Sequence, residues 1–194
     1  VPRICFINKM DRVGADFGAA VESIRQRLRA TPLPIQLPVG MESDFVGVID
    51  LVEMTQVVWE SDNLGASFTE EEIPADRLEE AQAARDRIFD VVADADDEVA
   101  TKYLEGEDVT PAELRRAIRK ATLQLKAFPV LCGSAFKNKG VQSLLDAVVA
   151  YLPSPLDVVY PEAVVIGKED QMVPVKPDEK EPFLALAFKI MSDQ

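Results

Sequence analysis

Near the start of the chain, Asn8-Lys9-Met10-Asp11 directly follows the apolar run Ile4-Cys5-Phe6-Ile7. A carboxylate at the mouth of a buried strand can accept two hydrogen bonds from adjacent donors. Guanine offers such a pair in its ring N1–H and exocyclic amine. Adenine does not, so the wrong base would leave the Asp11 carboxylate unpaired, which is how a polar site rejects an analogue strongly. Lys9 can lay its aliphatic stem over the purine face, and the Asn8 amide can tie this loop to a neighbouring one. At uniform residue usage these three fixed letters occur by accident in about one chain of this length in forty, so context must carry the reading.

Gly133-Ser134-Ala135 supplies that context, because it follows another apolar run, Phe128-Pro129-Val130-Leu131-Cys132. A short loop of small residues at the end of a strand lets backbone N–H groups approach a ligand oxygen, here guanine O6. Two strand-then-loop units predict a guanine nucleotide, GTP or GDP, contacted by Asn8, Lys9, Asp11, Ser134 and Ala135.

The elements that must position these residues are legible in outline. Residues 16–30 read as a helix with Phe17, Val21, Ile24 and Leu28 on one face, and residues 141–152 as a second, with Val141, Leu144, Leu145, Val148, Val149 and Leu152 inward. Strand, loop, helix and again strand, loop, helix make the last part of a parallel α/β sheet. Asp11 and Ser134 are 123 positions apart. One helix with short connections needs roughly 30, so about 90 residues are inserted between them. Within the insertion, 37–39, 45–51 and 55–60 read as short antiparallel strands, 64–73 as a loop, and 76–95 as a long helix with Leu78, Ala81, Arg85, Ile88, Phe89, Val92 and Ala95 inward. A short helix at 98–104 is stopped by Gly106. Thr110-Pro111-Ala112-Glu113 has the letters of a capping box and opens another helix. After Pro153-Ser154-Pro155, residues 163–167, 172–175 and 183–190 read as strands, the last with Leu184, Leu186, Phe188 and Ile190 alternating.

Several long, collinear blocks go beyond these motifs: residues 2–12, Gly47-Val48-Ile49-Asp50-Leu51, Lys102-Tyr103-Leu104-Glu105-Gly106, residues 128–141, and Tyr151-Leu152-Pro153-Ser154-Pro155-Leu156-Asp157. On them the chain resembles the translation elongation factor G family over nearly its whole length. The resemblance implies an α/β fold, the C-terminal part of a P-loop GTPase domain with an inserted α+β subdomain, followed by the first strands of a β-barrel domain. The implied divisions are 1–36 and 128–155 for the GTP-binding domain, 37–127 for the insertion and 156–194 for the barrel start. It implies a cytoplasmic, ribosome-dependent GTPase that drives translocation of tRNA and mRNA. That family's phosphate loop, magnesium ligands and catalytic histidine lie ahead of its guanine loop. The sequence is therefore expected to be a fragment with no catalytic residue, no metal site and no GTPase activity of its own. A ribosomal-protection or release-factor-recycling GTPase is the nearest alternative within this class.

Composition excludes other chemistry. The chain has 194 residues, 47% of them hydrophobic and 28% charged, as expected of a globular chain. No apolar run approaches 20 residues, so neither a leader nor a membrane partner is expected. The absence of histidine removes imidazole acid/base chemistry and the usual nitrogen metal ligands. Cys5 and Cys132 each sit in an apolar strand and read as reduced packing residues. A net charge of −13 argues against direct nucleic-acid readout and permits a basic protein partner. On the long inserted helix, Glu79, Asp86 and Asp90 share one face, which reads either as a solvated surface or as a docking stripe. The resemblance names the ribosome as partner, including the basic C-terminal domain of its stalk protein, which the inserted subdomain of the family contacts. A second class of function follows: an acidic protein-interaction module in which the insertion is the useful part.

Overall fold

The apolar runs at 4–7 and 128–132 lie side by side as parallel strands. The computed structural model describes residues 1–60, 65, 67–158, 161–165, 167–185, 187 and 189–191, in two compact units, Val1–Leu152 and Pro153–Gln194. Unit one begins with β1 (Cys5–Ile7), α1 (Phe17–Leu28), β2 (Pro32–Pro34) and β3 (Gln36–Val39). It continues through β4 (Gly47–Asp50), β5 (Thr55–Trp59) and β6 (Phe68–Glu72), then α2 (Ala75–Val92), α3 (Asp97–Glu105) and α4 (Pro111–Leu123). β7 (Phe128–Cys132) and α5 (Val141–Tyr151) complete it.

β7 is the centre of a parallel sheet ordered β1-β7-β2, with Ile7 opposite Cys132. Strands β3 to β6 form an antiparallel meander in chain order. Only Ile35 separates β2 from β3, and it serves both sheets. Its N–H donates to Val130 O at 3.1 Å, while its carbonyl accepts from Leu51 N–H at 3.0 Å. The run 32–39 thus passes from one sheet to the other without a turn.

Apolar patterning explains the packing. One buried cluster joins Leu33 and Ile35 of the crossing run to Ile49, Leu51, Ile88, Val92, Leu114, Ile118, Leu131 and Tyr151. A second cluster collects Met10, Phe17, Val21, Phe45, Val57, Trp59, Val130 and Cys132. Both cysteines are free thiols, and Cys5 stands in register with Val130. Burial pushes the Cys132 thiol up to about 12, which keeps it an inert packing group. The capping box forms as its letters predict. Glu113 N–H donates to Thr110 Oγ1 at 3.3 Å, and Thr110 N–H donates to Glu113 Oε2 at 2.9 Å.

Some expectations fail. The expected loop at 64–73 contains β6, whose residues are all exposed; it is an edge strand held by its ladder to β5, with no alternation to announce it. Helix α5 buries Ala147 and Tyr151, whereas Leu145, Val148 and Val149 of the expected inner stripe are exposed. Its apolar residues run almost all round, so periodicity could not choose the face. Leu28 and Leu78, also expected inside, are exposed near helix termini. In α2 the inward Arg85 donates to the carbonyls of Leu51 and Val52 at 2.8 and 2.6 Å, which ties the helix to the end of β4.

The second unit holds an antiparallel pair, β8 (Glu162–Val165) and β9 (Lys168–Pro174). The described residues of the expected strand at 183–190 form no strand, and Leu186 and Phe188 lie outside the described residues. Alternation does not hold a strand extended without a neighbour for its backbone groups.

Candidate functional site

The two loops singled out in the sequence leave the C-terminal ends of adjacent strands, where ligands gather in open α/β sheets. Gly133 N–H donates to Ile7 O at 3.0 Å, and Met10 N–H returns to Gly133 O at 3.1 Å, so the loops depart in step. Gly133 is required by close approach: a Cβ there would lie 2.3 Å from Lys139 O and 2.7 Å from Phe6.

Asn8 joins the loops. Its Oδ1 accepts from Lys9 N–H at 2.8 Å and from Ala135 N–H at 3.0 Å, across 127 positions of chain. Lys9 itself takes a left-handed conformation, φ 66°. Met10 points inward at 1% exposure and anchors the loop in the second core cluster. Asp11 is nearly buried, with Oδ2 3.6 Å from Lys137 Nζ. The Ser134 hydroxyl is buried and makes no hydrogen bond of regular geometry, yet it is the main influence holding the Asp11 carboxyl below the usual carboxylate range. Desolvation opposes it, and the Lys137 ammonium adds to it.

Both backbone N–H groups expected to face O6 already donate within the protein: Ser134 to Lys139 O at 2.9 Å and Ala135 to Asn8. The 134–139 segment closes as a tight loop, with Lys139 N–H donating back to Ser134 O at 3.0 Å. Lys139 is buried, and its Nζ donates to Phe45 O at 3.0 Å. Burial, followed by repulsion from Lys137, lowers its pKa.

Sequence reasoning also passed over Glu42. Its Oε1 accepts from Gly14 N–H at 2.7 Å and its N–H donates to Met10 O at 2.9 Å, so the turn before β4 braces the Asp11 loop. Such a pairing across 28 positions leaves no local signal. The acidic stripe lies apart, on α2. Glu79 and Asp90 are exposed, and Asp86 is half-buried and accepts from Gln82 Nε2 at 3.1 Å. Among the described residues no cluster of three or more His, Cys, Asp or Glu could hold a metal, and no helix is long and apolar enough to cross a membrane.

Comparison with known proteins bears on these loops. The family described as elongation factor Tu GTP binding domain matches residues 1–154. Among solved structures, a protein from Thermus thermophilus superposes with a TM-score of 0.69 at 32% sequence identity. The match covers 81% of this chain and 23% of that protein's length.

Proposed function

The chain belongs to the elongation factor Tu GTP-binding domain family of translational GTPases, and from that premise we propose that its paired loops read the guanine base for a factor of the elongation factor G type. The observation that supports this reading is the hydrogen bond from Ala135 N–H to Asn8 Oδ1, which ties the loop of Ser134 to the loop of Asp11. The Asp11 carboxylate, kept ionised, takes the ring N1–H and the amine, and Lys9 covers the purine face. Guanine O6 competes with Asn8 for the Ala135 N–H, either sharing it as a three-centre bond or releasing the Asn8 amide toward the base. Lys137 gives up its contact with Asp11 as the base enters.

In the whole protein this recognition serves ribosome-dependent GTP hydrolysis coupled to movement of tRNA and mRNA. Phosphoryl transfer relies on positioned phosphates and magnesium. The loops described here supply neither, so the chain alone should show no turnover. Glu79, Asp86 and Asp90 face a basic domain of the ribosomal stalk and speed its docking.

Asp11→Asn tests the base assignment in the protein carrying this chain. It places an amide NH₂ where an oxygen accepted from the guanine amine. GTP affinity should fall by about 1.5–3 kcal/mol per lost bond to the charged group. Xanthosine triphosphate, with an oxygen at that position, should gain. A variant that keeps its full preference for GTP would remove Asp11 from this role.

A further inference from the structure

One short turn, residues 42–45 between β3 and β4, is bonded to both loops of the candidate site. Glu42 straddles Asp11 along the chain. Its N–H donates to Met10 O at 2.9 Å, just before Asp11, and its Oε1 accepts from Gly14 N–H at 2.7 Å, just beyond it. At the other end of the turn, Phe45 O accepts from Lys139 Nζ at 3.0 Å. Both backbone groups of Lys139 pair with Ser134, at 2.9 and 3.0 Å, so its ammonium carries the closed 134–139 loop with it. Phe45 and Met10 are each 1% exposed and share one buried cluster.

The turn is stiff enough to act as a reference. Phe45 N–H donates to Glu42 O at 3.2 Å, and Val46 N–H donates to Val39 O at 3.0 Å, which locks the turn onto the ladder of β3 and β4. Gly40, at φ 77°, has no room for a side chain, because a Cβ there would lie 1.9 Å from Asp44 O. The loops' own bond, from Ala135 N–H to Asn8 Oδ1, is the one that guanine O6 disturbs. The bonds to Glu42 and Lys139 use none of the groups that face the base, so they persist while the base is bound.

Resting on the reading of these loops as a guanine site, we propose that Glu42 and Lys139 are positioning residues for base selection. The 42–45 turn holds the Asp11 carboxylate and the Ser134-Ala135 backbone at one separation. That separation decides how strongly guanine is preferred to hypoxanthine, which has O6 and N1–H but lacks the amine. One loop meets the base at O6 and the other at N1–H and the amine. When the gap between loops is wrong, the bond farthest from O6, the one to the amine, loses its alignment first, and hydrogen bonds weaken steeply with misalignment.

Equilibrium binding of GTP and inosine triphosphate to the protein carrying this chain tests this. The affinity ratio is the readout, because a reduced competent fraction lowers both affinities alike and cancels. Glu42→Ala removes the acceptor for Gly14 N–H and should shrink the preference for GTP by about threefold to tenfold. Glu42→Gln, which keeps a carbonyl oxygen at Oε1, should restore most of it. Lys139→Met, which keeps an apolar stem and removes the donor, should shrink it as Glu42→Ala does. An unchanged ratio in Glu42→Ala or Lys139→Met, or a Glu42→Gln no better than Glu42→Ala, would overturn the proposal alone, provided Asp11→Asn alters base preference. An unsubstituted protein that takes inosine triphosphate as tightly as GTP would overturn the base reading and this inference with it.

Discussion

The guanine-type loops and the α2–α4 helices both carry many polar groups, but the loops are joined to each other by partners far along the chain, whereas many pairs on the helices are local. In the loops, Asn8 reaches 127 positions to Ala135, and Glu42 reaches 28 to Gly14. In the helices many pairs are local, such as Arg77 with Glu80, Gln82 with Asp86 and Thr110 with Glu113, and the long reaches of Arg85 to Leu51 and Arg115 to Glu53 anchor helices to the end of β4 and not to the loops. Long-range bonds of the first kind fix the relative position of two strands' ends, which a ligand can then read. Short-range bonds of the second kind support individual helices and set the surface field, without fixing any geometry fine enough to select a small molecule.

The sharpest way to break this contrast is to cut the longest bond. Asn8→Ala removes the acceptor shared by Lys9 and Ala135, so nucleotide affinity should fall by about 1–3 kcal/mol while the melting temperature changes little, as equilibrium binding and calorimetry would show. A large loss of stability with normal affinity would make the link structural only.

Glu113 tests the local side. Lys102, with the Thr110 backbone and hydroxyl, lowers its pKa from 4.5 to about 2. A carboxyl with a depressed folded pKa stabilises above its unfolded pKa, and that contribution is lost as pH falls from about 4.5 to about 2. Thermal unfolding across that range should show the loss, and Glu113→Gln should lose that part of it. An identical pH profile in the variant would show that the interaction is screened away.

The smallest effect is expected on α2. Reversing Glu79, Asp86 and Asp90 to Lys should leave nucleotide binding unchanged and slow association with a basic stalk domain at low salt, an effect that fades as salt is added. Normal association rates in stopped-flow measurements would leave the stripe as solvated surface.

The same difference in distance explains what the sequence disclosed. Capping letters, helix spans and apolar strand runs are local, and β1 and β7 were readable as continuous apolar runs, whereas β2, three residues with a proline at each end, was not. The loop pair was legible because each loop directly follows a continuous apolar run. What stayed hidden depends on tertiary partners: Lys139 turned inward to Phe45, Glu42 bracing Gly14, and Gln36 buried without a partner. β6 escaped because an exposed edge strand has no alternation to show, and α5 because nearly every face of it is apolar.

The run through Ile35 has a consequence for how unit one opens. Both hydrogen bonds run through Ile35: its amide donates to Val130 O in one sheet, and its carbonyl accepts from the Leu51 amide at the edge of the other. Neither sheet can peel away locally at this point without straining the other. Solvent deuterium should therefore reach both amides through one shared opening event, with closely matched protection, although one hydrogen bond belongs to the sheet bearing the loops and the other to the meander.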